Sequence, residues 1–138
     1  MNKYIYILLF IAFIGGWLYI YNIHQIRINY VPIDITSDQL YVMLKNKDFY
    51  FVNVHIPYEG EIEKTDAFIP YNEIDKNLDK LLKDKNAKIV LYCRSGKMSA
   101  EAAKKLTDLG YTNVYNQLLG MHDWQSKGYQ ILKGGDMK

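Results

Sequence analysis

The chain has 138 residues and a single cysteine, Cys93, whose neighbours are of the kinds that make a thiol reactive. Cys93 follows the apolar run Lys88–Tyr92 (KIVLY) and opens the segment Arg94-Ser95-Gly96-Lys97-Met98-Ser99, which leads into a helical pattern. Gly96 gives that turn access to positive φ. Successive backbone N–H groups in such a turn can converge into an anion-binding nest. The following helix adds unpaired N–H donors and the positive end of its dipole. Arg94 and Lys97 contribute two formal charges. All of these favour thiolate over thiol, and the same donors would hold an anionic substrate beside the sulfur. The competing reading makes Cys93 a small apolar residue that ends a core strand. The strand-to-helix position, the glycine and the two cations favour the nucleophile.

One cysteine excludes an internal disulfide framework. It also excludes a Cys-rich zinc site, and His24, His55 and His122 lack any ligand spacing, so no metal is expected. Net charge is +2, with lysines scattered among acids. The basic stripe that nucleic-acid binding needs is missing from the sequence, so no nucleic acid is expected as a partner. A composition of 49% hydrophobic and 23% charged residues is that of a globular chain.

The elements that must position Cys93 alternate between β and α signals. Ile28–Ile35 is β-branched and carries Pro32, which predicts an edge strand. Thr36 followed by Gln39 forms a capping box that opens a short helix through Leu40, Met43 and Leu44. Phe49–Val54 reads as a strand buried on both faces. Ile56–Pro70 reads as an irregular loop, and Glu73–Leu82 as a helix with Ile74, Leu78, Leu81 and Leu82 on one face. Lys88–Tyr92 is the most strand-like run. Ser99–Leu109 is predicted as a helix stopped by Gly110, Thr112–Tyr115 as a strand, and His122–Lys127 as a short terminal helix. Strands alternating with helices predict an α/β domain with a mainly parallel sheet. Cys93 would then emerge at the carboxyl edge of that sheet, where ligands bind in open α/β folds.

The first segment stands apart. Tyr4 to Ile20 carries no charge, and Tyr4, Tyr6, Trp17, Tyr19 and Tyr21 lie toward its two ends, where amphipathic rings sit at a bilayer surface. Some 17–20 residues at about 1.5 Å each span roughly 26–30 Å, the thickness of a hydrocarbon core. A cleaved signal peptide would need small residues at its cut site, and the candidates, Gly15 and Gly16, lie inside the apolar run. A buried core helix is the third reading, but a run uncharged on every face suits lipid better than an amphipathic site. The reading is an uncleaved, single-pass anchor, in contact with lipid over residues 4–21. Lys3 before it and Arg27 after it lean toward a cytoplasmic N-terminus and an extracytoplasmic domain.

The run Ile89–Asn116 (IVLYCRSGKMSAEAAKKLTDLGYTNVYN) resembles the catalytic half of a rhodanese-homology, single-domain sulfurtransferase. Gly120-Met-His-Asp-Trp124, then Gly128-Tyr129, is similar to that family's glycine–tryptophan–glycine ending. The sequence FVNV, Gly60-Glu-Ile62 and Ile69-Pro70 fall where the family has its second strand and its glycine–histidine–isoleucine loop. The resemblance covers about Ile28 to Lys133, and divides the chain into an anchor (1–24) and a rhodanese-like domain (25–138).

The resemblance implies a five-stranded parallel sheet flanked by helices, preceded here by the transmembrane helix. It implies Cys93 as the sulfur-accepting residue. Arg94, Ser95, Gly96, Lys97 and Met98 would be the substrate-binding cradle, their backbone amides holding a small anionic sulfur donor. Arg94 and Lys97 would steer and neutralise that donor. Sulfur would pass through a Cys93 persulfide to cyanide or to a thiol acceptor, small molecule or protein, with no metal or organic cofactor. The sequence departs from the family at Met98, where an arginine or threonine is common, at Asn53-Val54-His55 in place of Asp-Val-Arg, and at Glu61 in place of histidine. His55 and Asp66 read more readily as ordinary loop residues than as site residues.

Three rival functions use the same cysteine. A cysteine phosphatase needs an arginine six residues on for bidentate phosphate binding, and that position is Ser99. A non-catalytic, membrane-tethered binding module would use the cradle for recognition alone. A redox sensor would exchange a persulfide or sulfenic acid on Cys93 with a partner thiol.

Overall fold

The computed structural model describes residues 2–24 and 29–133. In chain order its elements are α1 (Lys3–His24), β1 (Ile33–Ile35), α2 (Ser37–Lys45), β2 (Tyr50–Asn53), β3 (Glu61–Ile62) and β4 (Ala67–Phe68). Two 3-10 segments, Tyr71–Lys76 and Leu78–Lys80, precede β5 (Ile89–Tyr92), α3 (Lys97–Asp108), β6 (Val114–Gln117), α4 (Gly120–Ser126) and β7 (Ile131–Leu132). Five strands form a parallel sheet in the order β1-β6-β5-β2-β4, and β3 and β7 make a separate antiparallel pair.

Alternation along the central strand sets the layers. Ile89 and Leu91 of β5, with Cys93 after them, face one core together with Val52, Val54, Ile74, Ala102, Ala103 and Leu106. Val90 and Tyr92 face the other, with Leu40, Phe51, Ile62, Met121 and Trp124. All four residues of β5 are buried, as a parallel strand covered by helices on both faces requires. The period of two therefore puts the Cys93 side chain on the α3 face.

The predicted capping box at Thr36 is present: Gln39 N–H donates to Thr36 Oγ1 at 3.2 Å and Thr36 N–H to Gln39 Oε1 at 2.8 Å. β1 lies at the sheet edge, as Pro32 predicts, but it is only three residues long. Residue 28, where the strand was expected to begin, lies outside the described residues. The strand expected at Thr112–Tyr115 is shifted to Val114–Gln117, and the helix expected at His122–Lys127 starts at Gly120.

Two expectations are corrected. Glu73–Leu82 is no α-helix but two 3-10 segments broken at Asn77, whose φ of −118° leaves the helical region and whose side chain donates to Glu73 O. Asparagine competes for the backbone in this way and interrupts a helical run. The loop Ile56–Pro70 contains β3 and β4, and β4 is the fifth strand of the sheet.

Helix α1 has the length and composition to cross a membrane. Lys3–Asn22 has a mean hydropathy of 1.9, and none of this stretch is buried against the domain. Its 22 residues extend about 33 Å.

Candidate functional site

The carboxyl ends of β2, β5 and β6 share one edge of the sheet, and Cys93 is the first residue past β5. Helix α3 begins at Lys97, two residues earlier than predicted. Serine is a favoured N-cap, which made Ser99 the natural start. Instead Gly96 takes that position at φ +87°, a left-handed conformation that a β-carbon strains. Ser99 then falls inside the first turn, and its hydroxyl turns back toward the loop.

That turn closes around the sulfur. Gly96 N–H donates to Cys93 Sγ at 3.1 Å, and Ser99 Oγ lies 3.5 Å from the same sulfur and 3.2 Å from Gly96 O. Cys93 is 1% exposed. The first N–H groups of α3 have no partner within the helix, and the first bond into it runs from Ala100 N–H to Gly96 O. The sulfur therefore sits under backbone donors and the positive end of a 12-residue helix. A buried hydroxyl occupies the position that a phosphatase fills with arginine.

A second loop holds the first in place. Met121 N–H donates to Cys93 O at 2.8 Å, and His122 N–H to Arg94 O at 3.0 Å. Gly120 lies so close, at φ +61°, that a β-carbon would overlap the carbonyl groups of Cys93 and Arg94. Gln117, buried at the end of β6, donates from Nε2 to Gly120 O at 3.1 Å and to Ser37 Oγ at 2.8 Å. Gly96 is pressed against Leu119 N, which would lie 2.8 Å from a β-carbon there.

Of the cradle predicted from sequence, Gly96 is buried, Met98 is half-buried and packs against the core that holds Cys93, and Ser95 and Lys97 are exposed. Arg94 is exposed, and its guanidinium is engaged: Nη1 donates to both carboxylate oxygens of Glu59 at 2.9 Å. Glu59 Oε2 also lies 3.2 Å from His55 Nε2. The alignment there falls short of a hydrogen bond, and both buried ring nitrogens of His55 lack a hydrogen-bond partner. His55 is thus at the Cys93 edge. Asp66 is not: it accepts from Lys47 Nζ at 2.6 Å and from Phe51 N–H at 2.7 Å, near the start of β2.

Glu59 and Gly120 complete the surroundings of the loop. Gly120 lies in the glycine–tryptophan segment already noted in the sequence. Glu59 has no comparable signal, being 35 positions from the arginine it binds. Among the described residues, no three His, Cys, Asp or Glu side chains cluster as metal ligands.

These features define an α/β protein with a loop cysteine at the carboxyl edge of a parallel sheet, under a helix amino terminus. The chain belongs to the rhodanese-like domain family, whose model matches residues 25–127. The thiosulfate sulfurtransferase PspE of Escherichia coli is 30% identical over 69 residues, which cover 49% of this chain and 66% of PspE, just under two thirds of its length. A rhodanese-like domain protein of Staphylococcus aureus superposes with a TM-score of 0.60 at 28% identity, over 73% of this chain and 99% of that one. A rhodanese-related protein of Thermoplasma volcanium gives 0.61 at 27% identity, over 72% and 97%.

Proposed function

We propose that this chain is a sulfurtransferase that carries sulfane sulfur on Cys93. The observation behind the reading is the Gly96 N–H aimed at Cys93 Sγ from 3.1 Å, beneath the amino end of α3. A fixed donor in a buried site stabilises the charge of a thiolate and of a persulfide without reorganising. The donor is a small anion, thiosulfate-like or a persulfide, a reading supported by PspE's designation as a thiosulfate sulfurtransferase.

The Cys93 thiolate attacks the outer sulfur of thiosulfate. The Cys93–sulfur bond forms, the bond to the sulfonate sulfur breaks, and sulfite leaves with the electron pair. The thiolate of an acceptor, or cyanide, then takes the outer sulfur and returns Cys93 to thiolate. This is a two-step covalent cycle. The N–H groups of residues 94–98 receive the donor's oxygens, with Arg94 and Lys97 supplying positive charge. Because Cys93 is 1% exposed, only the donor's outer sulfur enters, while its oxygens stay at the rim.

Residues 1–24 serve as a membrane anchor in this reading, and 25–138 form the sulfur-transfer domain, held outside the cytoplasm. Helix α1, apolar and unburied, supports the anchor. The test is intact mass after exposure to thiosulfate, polysulfide or glutathione persulfide. A gain of about 32 Da, absent in Cys93→Ser, is expected for a persulfide. A chain that never gains this mass is instead the non-catalytic tethered binding or redox-sensing module.

A further inference from the structure

One of the cations that border the cysteine loop is already engaged. Arg94 follows Cys93 directly, and its Nη1 is bound by both oxygens of Glu59 at 2.9 Å. His55, buried behind this pair, backs the carboxylate from inside at 3.2 Å. The two side chains border a groove of about 300 Å³ that is also lined by Met121, His122, Gln125, Ile131 and a second cation, Lys133. The pair is half open to water, with the side chains of Arg94 and Glu59 exposed by 50% and 38%. An exposed pair of this kind is weak, so an arriving anion can displace it.

We propose that Glu59 is a specificity-determining residue that selects donors by charge, a proposal that rests on the sulfur-transfer reading above. Its carboxylate competes with the donor's oxygens for Arg94 and repels what remains at the rim. The penalty grows with the donor's charge, because Coulomb energy is linear in it. A dianion such as thiosulfate is handicapped more than a monoanion such as methanethiosulfonate. Both donors load the same sulfur: Cys93 thiolate takes the outer sulfur, and sulfite or methanesulfinate leaves with the electron pair.

The experiment compares wild type, Glu59→Gln and Glu59→Asp in the full-length chain. In Glu59→Gln, kcat/KM for thiosulfate should rise about threefold, through KM, as release of an exposed ion pair allows. For methanethiosulfonate the rise should be less than about twofold, half the energy for half the charge. Glu59→Asp keeps the charge and should keep the wild-type ratio of the two donors. Sulfate, which carries the oxygens without a sulfur to transfer, should bind Glu59→Gln about threefold more tightly by titration calorimetry. An unmoved donor ratio, or an equal loss of kcat for both donors, overturns the proposal, as does unchanged sulfate affinity. If sulfate binding responds but no donor adds mass to the wild-type protein, Glu59 competes with anions for Arg94, while the sulfur-transfer reading falls and donor selection falls with it.

Discussion

The carbonyl of Cys93 accepts a hydrogen bond from the N–H of Met121 at 2.8 Å, so the residue after the central strand is held by the first turn of α4. Gly120 makes this approach possible, its α-carbon lying against the carbonyls of Cys93 and Arg94. The loop that holds the sulfur is fixed from outside as well as by its own turn.

Replacing Gly120 with alanine should therefore damage both stability and loading. A β-carbon at φ +61° adds left-handed strain to an overlap with backbone that cannot rotate away. The combined cost is about 2–4 kcal/mol, which lowers the melting temperature by roughly 10 °C. Thermal melts check the first effect. Intact mass after thiosulfate checks the second, with the gain on Cys93 expected to be reduced even in the folded fraction.

Tyr92 yields a prediction with a pH signature. Its hydroxyl accepts from Ile62 N–H at 3.0 Å and, because the Thr65 hydroxyl donates to Ile62 O, donates to Thr65 Oγ1 at 2.7 Å. Tyr92→Phe leaves the Ile62 N–H unpaired in the core, at a cost of about 1–3 kcal/mol near neutral pH. Burial pushes the Tyr92 phenol well above its ordinary value of 10.0. A raised value means that the folded state retains the proton which the unfolded chain releases. This contribution is complete below about pH 10 and is lost as the pH climbs beyond it. The phenylalanine variant has no such loss, so the gap in unfolding free energy between it and wild type, read from urea melts, should narrow by about 1 kcal/mol between pH 8 and pH 11. A gap that stays constant would contradict this account.

Removing residues 1–24 should leave a domain that folds and stays in the supernatant after ultracentrifugation, whereas the full-length chain pellets with membranes. The apolar stretch of α1 is unburied, so deletion removes none of its apolar area from either core. Unprocessed full-length chain in the supernatant would count against the anchor.

Much of this architecture was legible because it is written in local patterns. The apolar run of Ile89 to Tyr92, the Thr36–Gln39 pair and the uncharged run after Lys3 each act over a few residues. Glu73–Leu82 misled because Ile74, Leu78 and Leu81 keep helical spacing while forming 3-10 turns, which share a similar apolar face over so short a length. Strands β3 and β4 have two residues each, too few for a period to register. At the site, the loop from Cys93 to Ser99 was visible as a contiguous motif. Its engagement by Glu59 was not, because only the fold brings positions 59 and 94 together. The sequence pattern offers Arg94 to an anionic donor, and the fold adds Glu59 as a partner for its guanidinium.

The bonds from Met121 and His122 also set a schedule for biosynthesis. β5 and the residues of α3 leave the ribosome well before Gly120, yet the carbonyls of Cys93 and Arg94 have no partners until the chain has been made through His122. The edge strand β1 likewise waits for β6, its partner across more than 80 residues. Long-range pairings of this kind are late events in folding. A nascent chain stalled before Gly120 holds its cysteine in an unfinished loop, so the surroundings of Cys93 are complete only once His122 has been made.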